Sequence, residues 1–309
     1  MAILILGAGF SKWAANLPLA NSLFDFAIEP DGVQEENRLH FVRDIKASWD
    51  YLNPNKPVEA FIDFAMHQSK KTAKLVVWYI VRRLSEPYIW KERHAGRWRR
   101  HVFMIDENRR FERPGVKKAQ NLLTNTFGMY LQGIITTNYD MLVEYALGSR
   151  GFNYGVPGEI LTGRGAYPVS NSVTLTGKLP LAKIHGSISW QSDIHYTDGR
   201  RGLTGNALVL APVQNKIMPQ ELKGQWQLSA RLLNGASRLV VFGFAFNTYD
   251  TEFLEHLRIH SKAVKNVLII DIMPNIDTAN EVFTGASIET MPPPPESEVD
   301  IRKWLIRSP

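Results

Sequence analysis

The sequence predicts an α/β protein with a Rossmann-like, doubly wound and mostly parallel sheet that carries an inserted helical module. Short apolar runs without alternation are typical of strands that are covered on both faces. Such runs occupy residues 2–6, 133–137, 181–184, 207–211, 238–244 and 266–272. Helical patterns stand between several of these runs, and this alternation predicts parallel strands joined by helical crossovers.

The first strand, AILIL at residues 2–6, runs directly into Gly7-Ala8-Gly9. Paired glycines after a buried strand are typical of a backbone that approaches a phosphate, and a tight strand-to-helix turn explains them equally well. A dinucleotide fingerprint would place a third glycine at position 12, where Lys12 stands. The chain has no G-x-x-x-x-G-K-[ST] motif, which argues against a P-loop ATPase.

The segments between and after the strands set the predicted domain organisation. Residues 36–128 form the helical insertion, because apolar residues recur there at helical spacing without a strong strand pattern. Residues 148–206 are rich in Gly, Ser, Thr and Pro, which predicts a loop-rich excursion. The predicted catalytic domain spans residues 1–290, and residues 291–309 hold a stiff proline spacer, MPPPPESE, and a short final helix.

Composition bounds the classes of function. The chain has 309 residues, of which 44% are hydrophobic and 21% charged, values that are ordinary for a globular protein. No run approaches the roughly 18 apolar residues of a membrane span, and no secretory leader pattern is present. We therefore expect a soluble, cytoplasmic protein without a membrane partner. With no cysteine, disulfides and thiolate metal sites are excluded, and we expect no metal.

The net charge of +6 is concentrated between Trp90 and Lys118, in WKERHAGRWRRHVF and ENRRFERPGVKK. Basic residues interleaved with tryptophans can hold nucleic acid through phosphate contacts and base stacking. The solvated face of a helix or loop accounts for the same pattern, and it is the commoner case. Direct nucleic-acid binding therefore remains an alternative.

Polar residues follow two further strands. In TTNYD, Thr137, Asn138 and Asp140 lie at the carboxyl end of a strand, where open α/β sheets bind ligands. In KIHGS, His185 follows the next predicted strand. Helix capping by the Asn and Asp, and a purely structural histidine, are the competing interpretations.

Taken in order, GAGFS, TTNYD, KIHGS and VVFGFAFNTYDTEFL resemble the sirtuin superfamily, specifically its sirtuin-like branch of NAD-hydrolysing domains in bacterial antiphage defence. The resemblance covers residues 1–24 and 130–272. It implies that Asn138 orients the nicotinamide ribose and the attacking water, that Asp140 lies in the nicotinamide pocket and that His185 is the catalytic histidine. The NAD-contacting residues that it implies are Gly7, Ala8, Gly9, Ser11, Thr137, Gly243, Phe244 and Asp271.

The chain departs from true sirtuins at two places. It lacks the four cysteines of their zinc module, and ANLPLAN keeps only Pro18 of their G-I-P-D-F-R loop. Both departures argue against protein deacylation. The resemblance thus implies an NAD⁺ glycohydrolase with NAD as substrate and no metal.

The same resemblance implies a biological setting. The protein would be the effector of an abortive-infection system that depletes NAD. It would act as a homo-oligomer with a regulatory or sensor partner such as a translocase ATPase or an Argonaute-like protein. Two alternatives remain open: an NAD-dependent ADP-ribosyltransferase or protein deacylase, and a non-catalytic, nucleic-acid-associated subunit of a defence complex.

The chemistry fits these residue types. The nicotinamide–ribose bond breaks through a transition state that resembles an oxocarbenium ion. The cationic leaving group departs neutral, so it needs no general acid, and histidine suits a base that works near neutral pH. Asn138 can both donate and accept hydrogen bonds. We expect Asn138 and His185 to lie in an open cleft where they carry little packing.

Overall fold

In the computed structural model, the described residues are 1–94, 97–101, 105, 107–155, 177–191, 207–210 and 218–307. The strands are β1 (Ala2–Leu6), β2 (Trp90–His94), β3 (Arg97–His101), β4 (Leu131–Thr136), β5 (Phe152–Asn153), β6 (Leu179–Lys183), β7 (Gly186–Gln191), β8 (Ala207–Val209), β9 (Arg238–Phe242), β10 (Asn266–Ile270) and β11 (Ser287–Met291). The α-helices are α1 (Ala8–Ala15), α2 (Val33–Leu52), α3 (Val58–Gln68), α4 (Lys70–Ser85), α5 (Val116–Gln120), α6 (Leu142–Leu147), α7 (Lys223–Asn234), α8 (Thr251–His260), α9 (Ile276–Val282) and α10 (Glu298–Ile306).

The core of the molecule is a seven-stranded sheet with the order β11-β10-β9-β1-β4-β6-β5. All of its strand pairs are parallel, and helices flank the sheet. The apolar runs of β1 and β9 are buried along their whole length, as unalternating strands covered on both faces must be. The predicted Rossmann-like α/β fold is therefore confirmed.

The order of strands in the sheet indicates where a ligand would bind. From β1 the chain continues to β4 on one side, and it later returns to β9 on the other side. The strand order therefore reverses at β1, and the carboxyl ends of β1 and β9 flank the crevice where open α/β sheets bind ligands.

The helical insertion contains α2, α3 and α4. Arg82 of α4 pairs with Glu35 of α2 at 3.2 Å, and both side chains are buried. The expectation that no strand interrupts residues 36–128 is wrong, because β2 and β3 form an antiparallel hairpin. Charged residues dominate both strands and concealed the β pattern. The side chains of this hairpin lie outside the described residues, and with them lies much of the predicted nucleic-acid surface.

The observed sheet differs from the predicted one at two strands, β8 and β11. The run at 207–211 is not part of the main sheet, since β8 pairs antiparallel with β7 in a separate two-stranded sheet. Gly186, at φ +80°, turns the chain away directly after β6. The edge strand β11 went unpredicted, because a partly exposed edge strand needs no apolar run.

The C-terminal segment packs onto the sheet domain. Residues 294–297 form a turn, and the indole Nε1 of Trp13 donates to the Pro294 carbonyl at 2.7 Å. Trp304 and Leu305 of α10 are buried in the common core. In the predicted loop-rich excursion, residues 156–176 and 192–206 lie outside the described residues. Among the helices that are described, none is both long enough and apolar enough to cross a bilayer.

Candidate active site

The turn after β1 and the loop after β9 contact each other backbone to backbone. Gly7 N donates to Phe242 O at 3.0 Å, and Gly9 N donates to Gly243 O at 2.8 Å. A Cβ on Gly7 would lie 2.4 Å from Gly243 O, and one on Gly243 would lie 2.3 Å from Phe10 N. Gly243 also has φ +63°, a conformation that favours glycine. These glycines are therefore required for contact between the two loops, whether or not a phosphate approaches.

Most amide groups at the start of α1 are already hydrogen-bonded. Gly7 and Gly9 donate to the β9 loop, and Phe10 N donates to Gly7 O at 3.0 Å. Ala8 is exposed, and within the described part of the chain its amide has no acceptor. A helix N-terminus attracts anions through such amides and through its dipole. One free donor thus remains at this point for an anionic group.

Three predicted site residues form a hydrogen-bonded cluster that we call the Ser11–Asn138–Asp140 cluster. The Ser11 hydroxyl donates to Asp140 Oδ2 at 2.7 Å. Asn138 Nδ2 donates to Ser11 Oγ at 2.9 Å and to Gly7 O at 2.8 Å. All three side chains are buried. Because both amide hydrogens of Asn138 are used, its Oδ1 is the atom suited to accept from a ligand hydroxyl or a water.

The cluster also fixes the local backbone. Asp140 Oδ1 accepts from Leu142 N at 2.9 Å and so caps the start of α6, as the capping interpretation predicts. Asn138 does not cap the helix; its own backbone N donates to Thr136 Oγ1 at 3.0 Å. Thr137 N donates to Leu6 O at 3.1 Å and ties the end of β4 to β1.

His185 lies at the end of β6, beside the other candidate residues. Its Nε2 is 3.6 Å from Asp250 Oδ1, and its ring centroid is 6.3 Å from that of Tyr139. Gly186 leaves the edge so tightly that a Cβ there would lie 2.0 Å from Leu208 O. Leu210 N donates to His185 O at 2.8 Å. The backbone of His185 is thus fixed on both sides of the residue.

The expected open cleft is not observed. Asn138 is 9% exposed and His185 is 5% exposed. The ring of Tyr139 packs beside that of His185, and burial, followed by the carboxylates of Asp250 and Glu59, raises the pKa of Tyr139. Its hydroxyl therefore stays protonated and donates to Leu210 O at 2.7 Å.

Two acidic residues, Asp250 beside His185 and Glu59 beside Asn247, were not predicted from the sequence. Asp250 lies in the NTYD segment, which the sequence presents as an ordinary helix start. Glu59 comes from α3 of the helical insertion and is buried. No local pattern could have identified Glu59, because its proximity to Tyr139 and Asn247 arises only in the folded chain.

The remaining predicted residues follow the neighbouring strands β9 and β10. Phe244 is buried, and its ring packs edge-on against Phe246 and Phe253 at 5.0 and 5.5 Å. Asp271 follows β10, where its Oδ1 accepts from Met273 N at 3.0 Å. Gly243 N donates to Ile270 O at 3.0 Å, which places the two loops side by side. In the part of the chain that the structure describes, no three His, Asp or Glu residues gather into a possible metal site.

The parallel sheet and the polar carboxyl edge define a Rossmann-like α/β protein. Residues 132–270 match the family model of the SIR2-like domain, so this part of the chain is similar to SIR2-like domains. Such a domain indicates NAD-dependent activity of the sirtuin type. The match contains Asn138, Asp140, His185 and Asp250.

Solved structures of sirtuins are similar to the chain over most of their length. One is Sir2 in complex with the inhibitor EX-527, 2′-O-acetyl-ADP-ribose and a deacetylated p53 peptide, at 13% identity and TM-score 0.41, covering 99% of this chain and 90% of that chain. Another is Sir2Tm bound to a propionylated peptide, at 12% identity and TM-score 0.39, with the same coverage of 99% and 90%. A search of curated proteins found no match.

Proposed function

We propose that the protein hydrolyses NAD to nicotinamide and ADP-ribose at the carboxyl edge of β1, β4, β6 and β9. The observation that carries the proposal is the placement of buried His185 against the Asp250 carboxylate, at the end of the strand next to the one that carries Asn138. A histidine beside a carboxylate is a suitable base near neutral pH, and the neighbouring amide can orient a water.

The proposed reaction breaks the bond between C1′ of the ribose and the nicotinamide nitrogen, and the electron pair leaves with the neutral nicotinamide. Water adds its oxygen to C1′, and His185 accepts the proton that the water loses. Asn138 Oδ1 holds the water or a ribose hydroxyl. No general acid is required, since the leaving group is a cation before it departs.

The other predicted residues have supporting roles in this proposal. The exposed amide of Ala8 at the N-terminus of α1 is suited to a pyrophosphate oxygen. Ser11 holds Asn138 in place by accepting from its Nδ2, and Asp140 holds Ser11 by accepting from its hydroxyl. Five residues would shape the loops around NAD: Thr137, Gly7, Gly9, Gly243 and Phe244. Asp271 would contact the adenosine ribose.

The cellular role is a further part of the proposal, and it is supported by the sequence resemblance. The protein would deplete NAD as the effector of an antiphage abortive-infection system in the cytoplasm. A toxic activity of this kind has to be off at rest, which supports a homo-oligomer controlled by a regulatory or sensor partner.

Product analysis tests the proposed reaction. NAD is incubated with the protein, alone and with candidate activating partners, in water enriched in ¹⁸O. We expect nicotinamide and ADP-ribose in equal amounts, with one ¹⁸O atom in the ADP-ribose. Modification of the protein by ADP-ribose would instead indicate a transferase. Intact NAD after incubation with a verified activator would contradict the proposal.

A further inference from the structure

The turn that carries Asp250 is built to hold its carboxylate against His185. The turn spans Thr248–Asp250 and directly follows the loop of Gly243. Asn247 caps it, since Asn247 Oδ1 accepts from Tyr249 N at 3.1 Å and Asn247 O accepts from Asp250 N at 2.9 Å. These bonds fix the backbone of Asp250 at the start of α8, and its Oδ1 lies 3.6 Å from His185 Nε2.

The capping residue is in turn held by the helical insertion. With Asn247 Oδ1 directed at Tyr249 N, the Nδ2 of the same amide faces α3 and donates to Glu59 Oε1 at 3.5 Å. Glu59 is buried, and a buried carboxyl group requires polar partners. A chain of contacts therefore runs from α3 through Asn247 and the turn to Asp250 and His185.

We infer that Asp250 is a positioning residue for His185, and that Glu59 of the helical insertion, through Asn247, holds the turn that presents Asp250. The inference rests on the proposed NAD hydrolysis for its catalytic consequence and on geometry alone for the contact itself. A displacement of α3 would release the turn and separate Asp250 from His185. The helical insertion is thus the element through which a partner could switch the histidine on or off.

The charged groups near His185 determine in which direction the loss of Asp250 should move its titration. Asp250 faces it from the turn before α8, and Tyr139 faces it from the end of β4. Glu59 of α3 acts on Tyr139, which itself stays neutral. Among the described residues that these contacts name, the charged groups are acidic, so they favour the protonated imidazole. Removal of Asp250 should therefore move the titration of His185 to lower pH.

The contact is tested without any substrate by NMR titration of the imidazole signals, with His185 assigned from the spectrum of His185→Gln. In Asp250→Asn the His185 midpoint should move to lower pH by about one pH unit, and Asp250→Glu should restore it. Asn247→Ala removes no charge, yet it should shift the midpoint in the same direction. Asn275→Ala is the matched control, since Asn275 caps α9 through the same kind of bond, to Thr278 N at 3.2 Å.

The catalytic consequence is read from NAD cleavage in the same variants. Asp250→Asn should lower kcat by about 10- to 1,000-fold with little change in KM, and the acidic limb of the pH profile should move to lower pH. A His185 midpoint that is unchanged in Asp250→Asn would overturn the positioning role. A midpoint that is the same in Asn247→Ala and Asn275→Ala would overturn the link to α3. A shifted midpoint in a protein that cleaves no NAD would reject the proposed hydrolysis and keep the contact.

Discussion

The inner and outer strands of the carboxyl edge use their polar side chains differently. At the inner strands β1 and β4, Ser11, Asn138 and Asp140 are joined by hydrogen bonds of 2.7 and 2.9 Å. The outer strands β6 and β9 flank this pair, and His185 and Asp250, which follow them, face each other at 3.6 Å, a distance longer than a normal hydrogen bond. The inner group is a closed hydrogen-bonded network, whereas the outer group pairs a histidine with a carboxylate at a longer distance.

This difference predicts that one group of residues mainly stabilises the fold and that the other mainly serves the proposed reaction. A side chain whose donors are all satisfied within the protein holds two strands together and presents a fixed atom to a ligand. A histidine at a looser distance from a carboxylate can gain and lose a proton without breaking the packing around it. Substitutions in the inner group should therefore change stability together with activity, and substitutions of His185 or Asp250 should lower activity far more than stability.

The glycine contact joins the loops after β1 and β9, and its loss should have the largest effect on folding. Gly243→Ala puts a Cβ 2.3 Å from Phe10 N at φ +63°, so backbone has to move. We expect a loss of about 2–4 kcal/mol in the free energy of unfolding, measured by urea denaturation. Gly224→Ala is the control, because it lies in α7 with nothing within 4 Å of the new Cβ. Gly224→Ala should be neutral or slightly stabilising. An equal loss of unfolding free energy in both variants would show that the glycine contact is not needed for folding.

The Ser11–Asn138–Asp140 cluster should lose stability cooperatively. Asn138→Ala removes the amide donor to Ser11 Oγ and one of the two donors to Gly7 O, which should cost about 1–3 kcal/mol of unfolding free energy. Ser11→Ala should cost less when Asn138 is already absent, with a coupling energy of about 1 kcal/mol in the double-mutant cycle. Denaturation of the four proteins gives this value. Strictly additive losses would show that the two side chains do not share a network.

A histidine away from the edge separates pH effects on folding from those on catalysis. Burial, followed by His260, lowers the pKa of His256 from 6.5 to about 4. The unfolded chain therefore binds the proton more readily between these values, and stability is lost as the pH falls from about 6.5 towards 4. His256→Gln should flatten the decrease in urea midpoint between pH 7 and pH 5. If the urea midpoint of His256→Gln decreases as steeply as that of the wild type, another group causes the acid sensitivity. The pH dependence of activity attributed to His185 has to be corrected for this loss of stability.

The sequence predicted what depends on local pattern. The buried strands β1, β4, β6, β9 and β10 follow from unalternating apolar runs, and the motifs after β1, β4 and β6 were placed at strand ends. The pattern could not show that Ser11 would turn towards Asp140, or that Gly7 and Gly9 would pack on Gly243, since these contacts join distant parts of the chain. Glu59 and Asp250 were missed for the same reason. The charged hairpin β2–β3 was missed because its strands lack an apolar run.

The most direct test of His185 as the base measures turnover and melting temperature on the same preparations of wild type, His185→Ala and Asn138→Ala. His67→Ala serves as a control, because this histidine is exposed on α3. His185→Ala should lose about 100- to 10,000-fold in NAD cleavage, far more than the destabilisation caused by removing a buried ring can explain, whereas Asn138→Ala should lose activity and stability together. NAD cleavage that survives in His185→Ala, or that falls only in proportion to its melting temperature, would contradict the assignment of His185 as the base.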